Sequence, residues 1–187
     1  YRLVGSEMCI RDRADITYGD YGMKQLRSSS NIPISDNVST KLSLSAMTRE
    51  GFTENLATGQ DLDDAHNLSF RTDWMVDIND TTSLRIFGQY SSVDRNGAAI
   101  RGIDDQSPGM RKLSQNTISK QELTSKVAAM IFETDLGFAS LKILASSQED
   151  DISVTRDNDR HNFGDPVLSI PGLGAGATYQ QAEFRPE

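Results

Sequence analysis

Two acidic runs hold the residues best suited to bind a metal. Asp61, Asp63 and Asp64 stand with His66, and Glu149, Asp150, Asp151, Asp157 and Asp159 stand with His161. Such carboxylates are the oxygen ligands calcium takes, but neither run has the EF-hand spacing, so both read as solvated acidic loops and no metal is assigned. The glycines of IPGLGAGATY, residues 170–179, lack the strand before and the helix after that a phosphate cradle needs, and read as a loop. Two histidines, one cysteine and no GxSxG elbow leave no pairing of nucleophile and base. Neither an enzyme nor a cofactor is expected. What remains is a set of groups suited to carboxylates or other anions: Arg71, Arg85 and Gln89 in two adjacent segments, and Arg95, Arg101 and Arg111 in the stretch after them.

The single cysteine, Cys9, lies in an opening stretch, YRLVGSEMCIRDR, that shares no pattern with the rest of the chain. Glu7, Arg11, Asp12 and Arg13 interrupt any apolar run, which excludes a secretory signal. Leu3 to Asp12 resemble, without a mismatch, the translation of a transposase sequencing adapter in the frame CTC GTG GGC TCG GAG ATG TGT ATA AGA GAC. Residues 1–13 are therefore expected to be an adapter-derived artefact, and 14–187 the protein proper. Those thirteen residues carry three arginines against two acids, so the net charge of −8 becomes −9 without them. The part that remains has no cysteine, hence no disulfide framework and no thiolate metal site.

An acidic chain is a poor partner for phosphate backbones, so no nucleic acid is expected. No apolar run reaches the ~18 residues of a membrane helix; any bilayer span must be made of strands.

Strand patterning is plain in several places. In NLSFRTDWMVDI, Leu68, Phe70, Thr72, Trp74, Val76 and Ile78 share one face, and Ser69, Arg71, Asp73 and Asp77 the other. SLRIFGQY, TKLSLSA and ASLKILAS divide in the same way. SKQELTSKVAAMIFETDLG is ambiguous: Ser119 and Glu122 have capping-box spacing and Leu123, Val127, Met130 and Ile131 a helical stripe, yet Leu123, Val127, Ala129 and Ile131 also alternate as a strand. Its neighbours favour the strand. The expected strands are 14–19, 23–34, 38–48, 67–78, 82–94, 121–133 and 138–149, with 150–187 as a loop. The fold class is all-β, an antiparallel meander of about seven strands.

Connection lengths then take turns. After the short hairpin at 19–22 come a short turn at 35–37, a long stretch at 49–66, a short turn at 79–81, a long stretch at 95–119 and a short turn at 134–137. Long structureless loops argue against a compact soluble domain, whereas outer-membrane barrels alternate short turns with long outer loops. Tyr18, Tyr21, Phe70 and Tyr90 near one end, and Trp74, Phe132 and Phe138 near the other, have the distribution of two aromatic girdles.

DITYGDYGMKQLRSSSNIPISDNVSTKLSLSAMTREGF resembles the start of the barrel in TonB-dependent outer-membrane receptors. It has a YGxYG-like hairpin at Tyr18–Gly22, an N-x-P-[IL] turn at Asn31–Ile34 and an x-R-x-G-[FY] exit at Arg49–Phe52. N-x-x-x-R-x-x-W and L-x-x-x-x-x-Y segments come next, joined by a D-x-N-D-T-T turn. The likeness covers residues 14 to about 150. It implies an incomplete transmembrane β-barrel in the outer membrane of a Gram-negative bacterium, taking up a siderophore, vitamin or glycan. The implied partners are the TonB energy-transducing complex, acting through a plug before Ala14, a small-molecule ligand such as a metal chelate, and outer-membrane lipid. Arg71, Arg85 and Gln89 would face the lumen, while Arg95, Arg101 and Arg111 would lie on the third outer loop. By itself the fragment is expected neither to span a membrane nor to transport, because its edge strands would be unpaired in lipid. The alternative is a soluble or secreted β-sandwich binding module, carbohydrate-binding or adhesin-like, with the apolar faces buried between two sheets.

Overall fold

Alternating side chains become two chemically different faces only when neighbouring strands agree in register, and here they do. In the computed structural model, which describes residues 12–103, 105–157, 160 and 162 and the backbone of 179–184, every described element is a strand or a connection between strands. The long strands are β1 (Arg13–Gly19), β2 (Met23–Ser35), β3 (Val38–Arg49), β6 (Ala65–Asn79), β7 (Thr82–Arg95), β9 (Lys120–Asp135) and β10 (Ser140–Asp157). They form an antiparallel meander in that order, with β11 (Tyr179–Phe184) added beside β10. The sheet is open, β1 and β11 being its edges. A smaller sheet is built from the connections: β4 (Thr53–Asn55) between β5 (Gln60–Leu62) and β8 (Lys112–Leu113).

Register places like with like. Leu44 faces Phe70, which faces Tyr90; Trp74 faces Ile86, which faces Met130. Each such aromatic or aliphatic pair contributes about 0.2–1 kcal/mol to the ladder. On the other face Ser45, Ser69, Ser91 and Ser125 form one row across β3, β6, β7 and β9, and Ser43, Arg71, Gln89 and Val127 the next. The apolar face has no layer upon it among the described residues: Phe70 is 42% exposed and Trp74 38%. Among the described residues the most deeply buried apolar side chains lie in the connections instead, Leu62 at 0% and Leu113 at 1%.

Several expectations change. Residues 150–157 continue β10 rather than opening a loop, and 179–184 return as β11. Glu149, Asp150 and Asp151 interrupt the apolar alternation, but their ladder partners are Lys126, Ser125 and Thr124, which accommodate charge, and Ile152 then faces Leu123. The stretches 49–66 and 95–119 are not structureless, since they contain the small sheet. Residues 120–135 are strand throughout, as expected for 121–133. Val127, Ala129 and Ile131 join the face of Gln89, Phe87 and Arg85, while Ala128, Met130 and Phe132 join the apolar face. Apolar residues on both faces are what made this segment read equally as a helix. Tyr21 leaves the expected girdle: it sits in the first hairpin at φ 58° with its ring 5.1 Å from that of Phe52. Residues 1–11, including Cys9, lie outside the described residues, whereas Arg13 already pairs with Ser29 in β1.

Candidate functional site

The tight β6–β7 hairpin turns on Asp80 and Thr81, where Asn79 Oδ1 accepts hydrogen bonds from the N–H and hydroxyl of Thr81, both 3.0 Å. That turn, with a bulge between Asp77 and Asn79, sets Arg71 opposite Gln89, Asp73 opposite Phe87 and Met75 opposite Arg85. Three of the expected residues, Arg71, Arg85 and Gln89, are thereby brought onto one face around a fourth, Asp73. Arg85 donates through Nε to Asp73 Oδ1 at 2.7 Å and through a terminal nitrogen to Oδ2 at 2.6 Å. Arg71 donates to Asp73 Oδ2 at 3.3 Å and to Gln89 Oε1 at 3.4 Å, and its guanidinium lies 4.6 Å from the Phe87 ring centre. Phe87, which breaks the polar alternation of β7, is thus the platform for a cation. Two guanidiniums on one carboxylate leave a residual charge of about +1, with the better-aligned guanidinium already bidentate. The cluster is a brace that an incoming anion would have to displace.

Arg71 and Gln89 also line an open groove of 390 Å³ with Arg13, Arg27, Ser43 and Ser69, among others. Arg85 does not line it. This groove is where the polar face offers cations and hydroxyls together.

The remaining three expected residues do not join this cluster. Arg95 donates from Nε to Gln121 Oε1 at 2.8 Å across the β7–β9 pair. Arg101 is consumed by main chain: it donates to the carbonyls of Asp105, Ser107 and Gly109 at 2.8, 2.5 and 2.9 Å. Asp105 completes that loop by accepting the N–H groups of Ser107 at 2.7 Å and Ser114 at 3.2 Å. Burial pushes the Asp105 carboxyl up, but hydrogen bonds from Ser107 and Ser114 and the charge of Arg101 outweigh it, and the net direction is down. Arg111 stacks over Tyr21 and Phe52, at 5.1 and 5.3 Å from the ring centres, while Arg49 covers Phe52 at 5.0 Å.

The first acidic run organises the loops. Asp63 accepts the Thr53 hydroxyl at 2.7 Å and the Ala99 N–H at 3.0 Å; Asp64 accepts the Asn96 N–H at 2.6 Å and lies 3.7 Å from His66. Among the described residues no group of three or more His, Cys, Asp or Glu is placed to hold a metal ion. Asp159, His161 and the glycines at 170–178 lie outside the described residues.

Asp73 and Phe87 were not among the expected site residues. The turn pairs Asn79 with Thr82 and alone would set 73 opposite 88; the bulge between Asp77 and Asn79 moves it opposite 87. No protein-family model matches the chain, and no curated protein or solved structure matches it.

Proposed function

We propose that this chain is part of a transmembrane β-barrel of the outer membrane, of the TonB-dependent receptor type, serving active uptake of a siderophore, vitamin or glycan. The observation that carries the membrane reading is the apolar face. Leu44, Leu68, Phe70, Trp74, Ile86 and Tyr90 share it across adjacent strands, and all are at least 36% exposed. Contiguous exposed apolar surface on that scale marks a partner or a lipid phase. The opposite face, with its serine rows and the Arg71–Asp73–Arg85 brace, has the polarity of a lumenal wall. The short turns at 36–37, 80–81 and 136–139 lie at one end of the sheet, and the elaborated connections lie at the other, beside the first hairpin. The receptor type, the TonB partner and the nutrient class rest on the sequence resemblance. A sandwich module would need a second sheet on the apolar face.

Solubility tests the reading. The chain in plain buffer is expected to be insoluble or aggregated and to become monodisperse in non-ionic detergent. A monomer that melts cooperatively in plain buffer contradicts it.

A further inference from the structure

We propose that the second and third outer connections, residues 50–64 and 96–119, form one preassembled body, cross-braced by two side-chain amides, so that this end of the sheet yields as a unit.

Asn55 and Gln60 are direct partners where β4 and β5 meet their turn. Each then pairs with the main-chain N–H and carbonyl of one residue of the other connection. Asn55 Nδ2 donates to the Gln115 carbonyl and the Gln115 N–H donates back to Asn55 Oδ1, both at 3.0 Å. Gln60 Nε2 donates to the Ser119 carbonyl at 2.7 Å and the Ser119 N–H returns to Gln60 Oε1 at 2.9 Å. A primary amide offers one acceptor and one donor side by side, so each contact reproduces the two-bond exchange of an antiparallel strand pair.

Burial makes these bonds costly to break. Asn55 is 1% exposed and Gln115 2%, and a buried amide stripped of its partner has no water to replace it. The braces do not act alone. Glu54 N–H donates to the Arg111 carbonyl at 3.0 Å and Leu56 N–H to that of Leu113 at 2.8 Å, while Gln115 Nε2 reaches the Ile100 carbonyl at 2.8 Å. Beneath them Leu62 and Leu113 are fully buried. Arg111, from the third connection, caps the Tyr21–Phe52 pair formed by the first and second. A partner approaching this end therefore meets a formed surface and loses little ordering entropy in these segments. The bracing rests on loop geometry alone and is independent of whether the apolar face meets lipid.

The test is residue-resolved amide hydrogen exchange on the full chain, with the β6 and β7 amides as an internal control for folding. Asn55→Leu and Gln60→Met each remove one brace at nearly constant volume. If the two connections are one body, each variant speeds exchange of both the Gln115 and Ser119 N–H groups by about tenfold or more, because losing one brace loosens the other. Gln60→Met provides this reading independently of any disturbance at the more buried Asn55. The proposal is overturned if each variant frees only its own partner, if neither changes either amide, or if both amides already exchange freely in the unmodified chain while β6 and β7 stay protected.

Discussion

Arg85 bypasses Met75, its direct partner across the β6–β7 ladder, to hold the carboxylate of Asp73 in two parallel hydrogen bonds of 2.7 and 2.6 Å. The side chain of Asp73 is only 16% exposed, whereas those of Arg71 and Arg85 are 40% and 42% exposed. The carboxylate is thus the shielded member, and both cations depend on it for position.

Removing that carboxylate is expected to destabilise the sheet modestly. Asp73→Ala should cost about 1 kcal/mol, since half-exposed ion pairs contribute little and the bidentate geometry adds somewhat. Adding Arg85→Ala should cost less than the sum of the two single changes. A double-mutant cycle in denaturant measures this, and strict additivity would show that the pair is uncoupled.

Gly51 allows β3 to leave the sheet close beside β5. A Cβ there would lie 2.7 Å from Asp61 Cβ and 2.8 Å from both the Asp61 carbonyl carbon and the Leu62 oxygen. Gly51→Ala is expected to destabilise by about 1–3 kcal/mol, because main chain must shift. Thermal melting compares it with Gly88→Ala, where the nearest atom is Thr72 Cγ2 at 3.7 Å and ordinary contact suffices.

The strands were largely legible, and the reason is specific. In 67–78 and 82–94 polar residues fall at most alternate positions, Met75, Phe87 and Val93 excepted, so the faces emerge directly, and the short turn fixes the partners to within the bulge between Asp77 and Asn79. Legibility failed where charge entered the ladder. The expected strand stops at Glu149 because Asp150 and Asp151 hide its continuation, yet Lys126 lies 3.4 Å from Glu149 across the pair and Ser125 and Thr124 face the two aspartates. Where apolar residues occupy both faces, as in 127–132, the local pattern was ambiguous with a helix, and the neighbouring strands decided correctly for a strand. The loop site was the least legible. Arg101 and Asp105 satisfy main-chain groups of their own loop, and Asn55 pairs with a carbonyl sixty positions away, a contact that no periodicity announces.

Acid should loosen the third connection before the sheet. The native Asp105 carboxyl titrates below its ordinary value of 3.8, so between the two values the folded state binds fewer protons than the unfolded one. Its stabilisation is complete above that ordinary value and is lost as pH falls through the lowered native one. Amide exchange at Ser107 and Ser114, corrected for intrinsic rates, should rise in that acidic window and stay flat from there to neutrality. Asp105→Asn should remove the acid dependence.

Leu62 is fully buried where the small sheet meets the entry to β6. Leu62→Ala is expected to cost about 2–5 kcal/mol through lost transfer energy and the cavity left behind. Limited proteolysis should then cut within 50–64 or 96–119 while β6 and β7 remain intact. Cleavage spread evenly over the chain would mean that the connections are no separate packing unit.

The apolar face carries the membrane reading, and it includes the only tryptophan of the chain, Trp74. The most direct measurement is Trp74 fluorescence in detergent micelles, with bromine-bearing detergent set against acrylamide in the water. If this face seeks hydrocarbon, the brominated detergent quenches Trp74 and acrylamide leaves it largely untouched. Strong acrylamide quenching with no response to bromine would contradict the account.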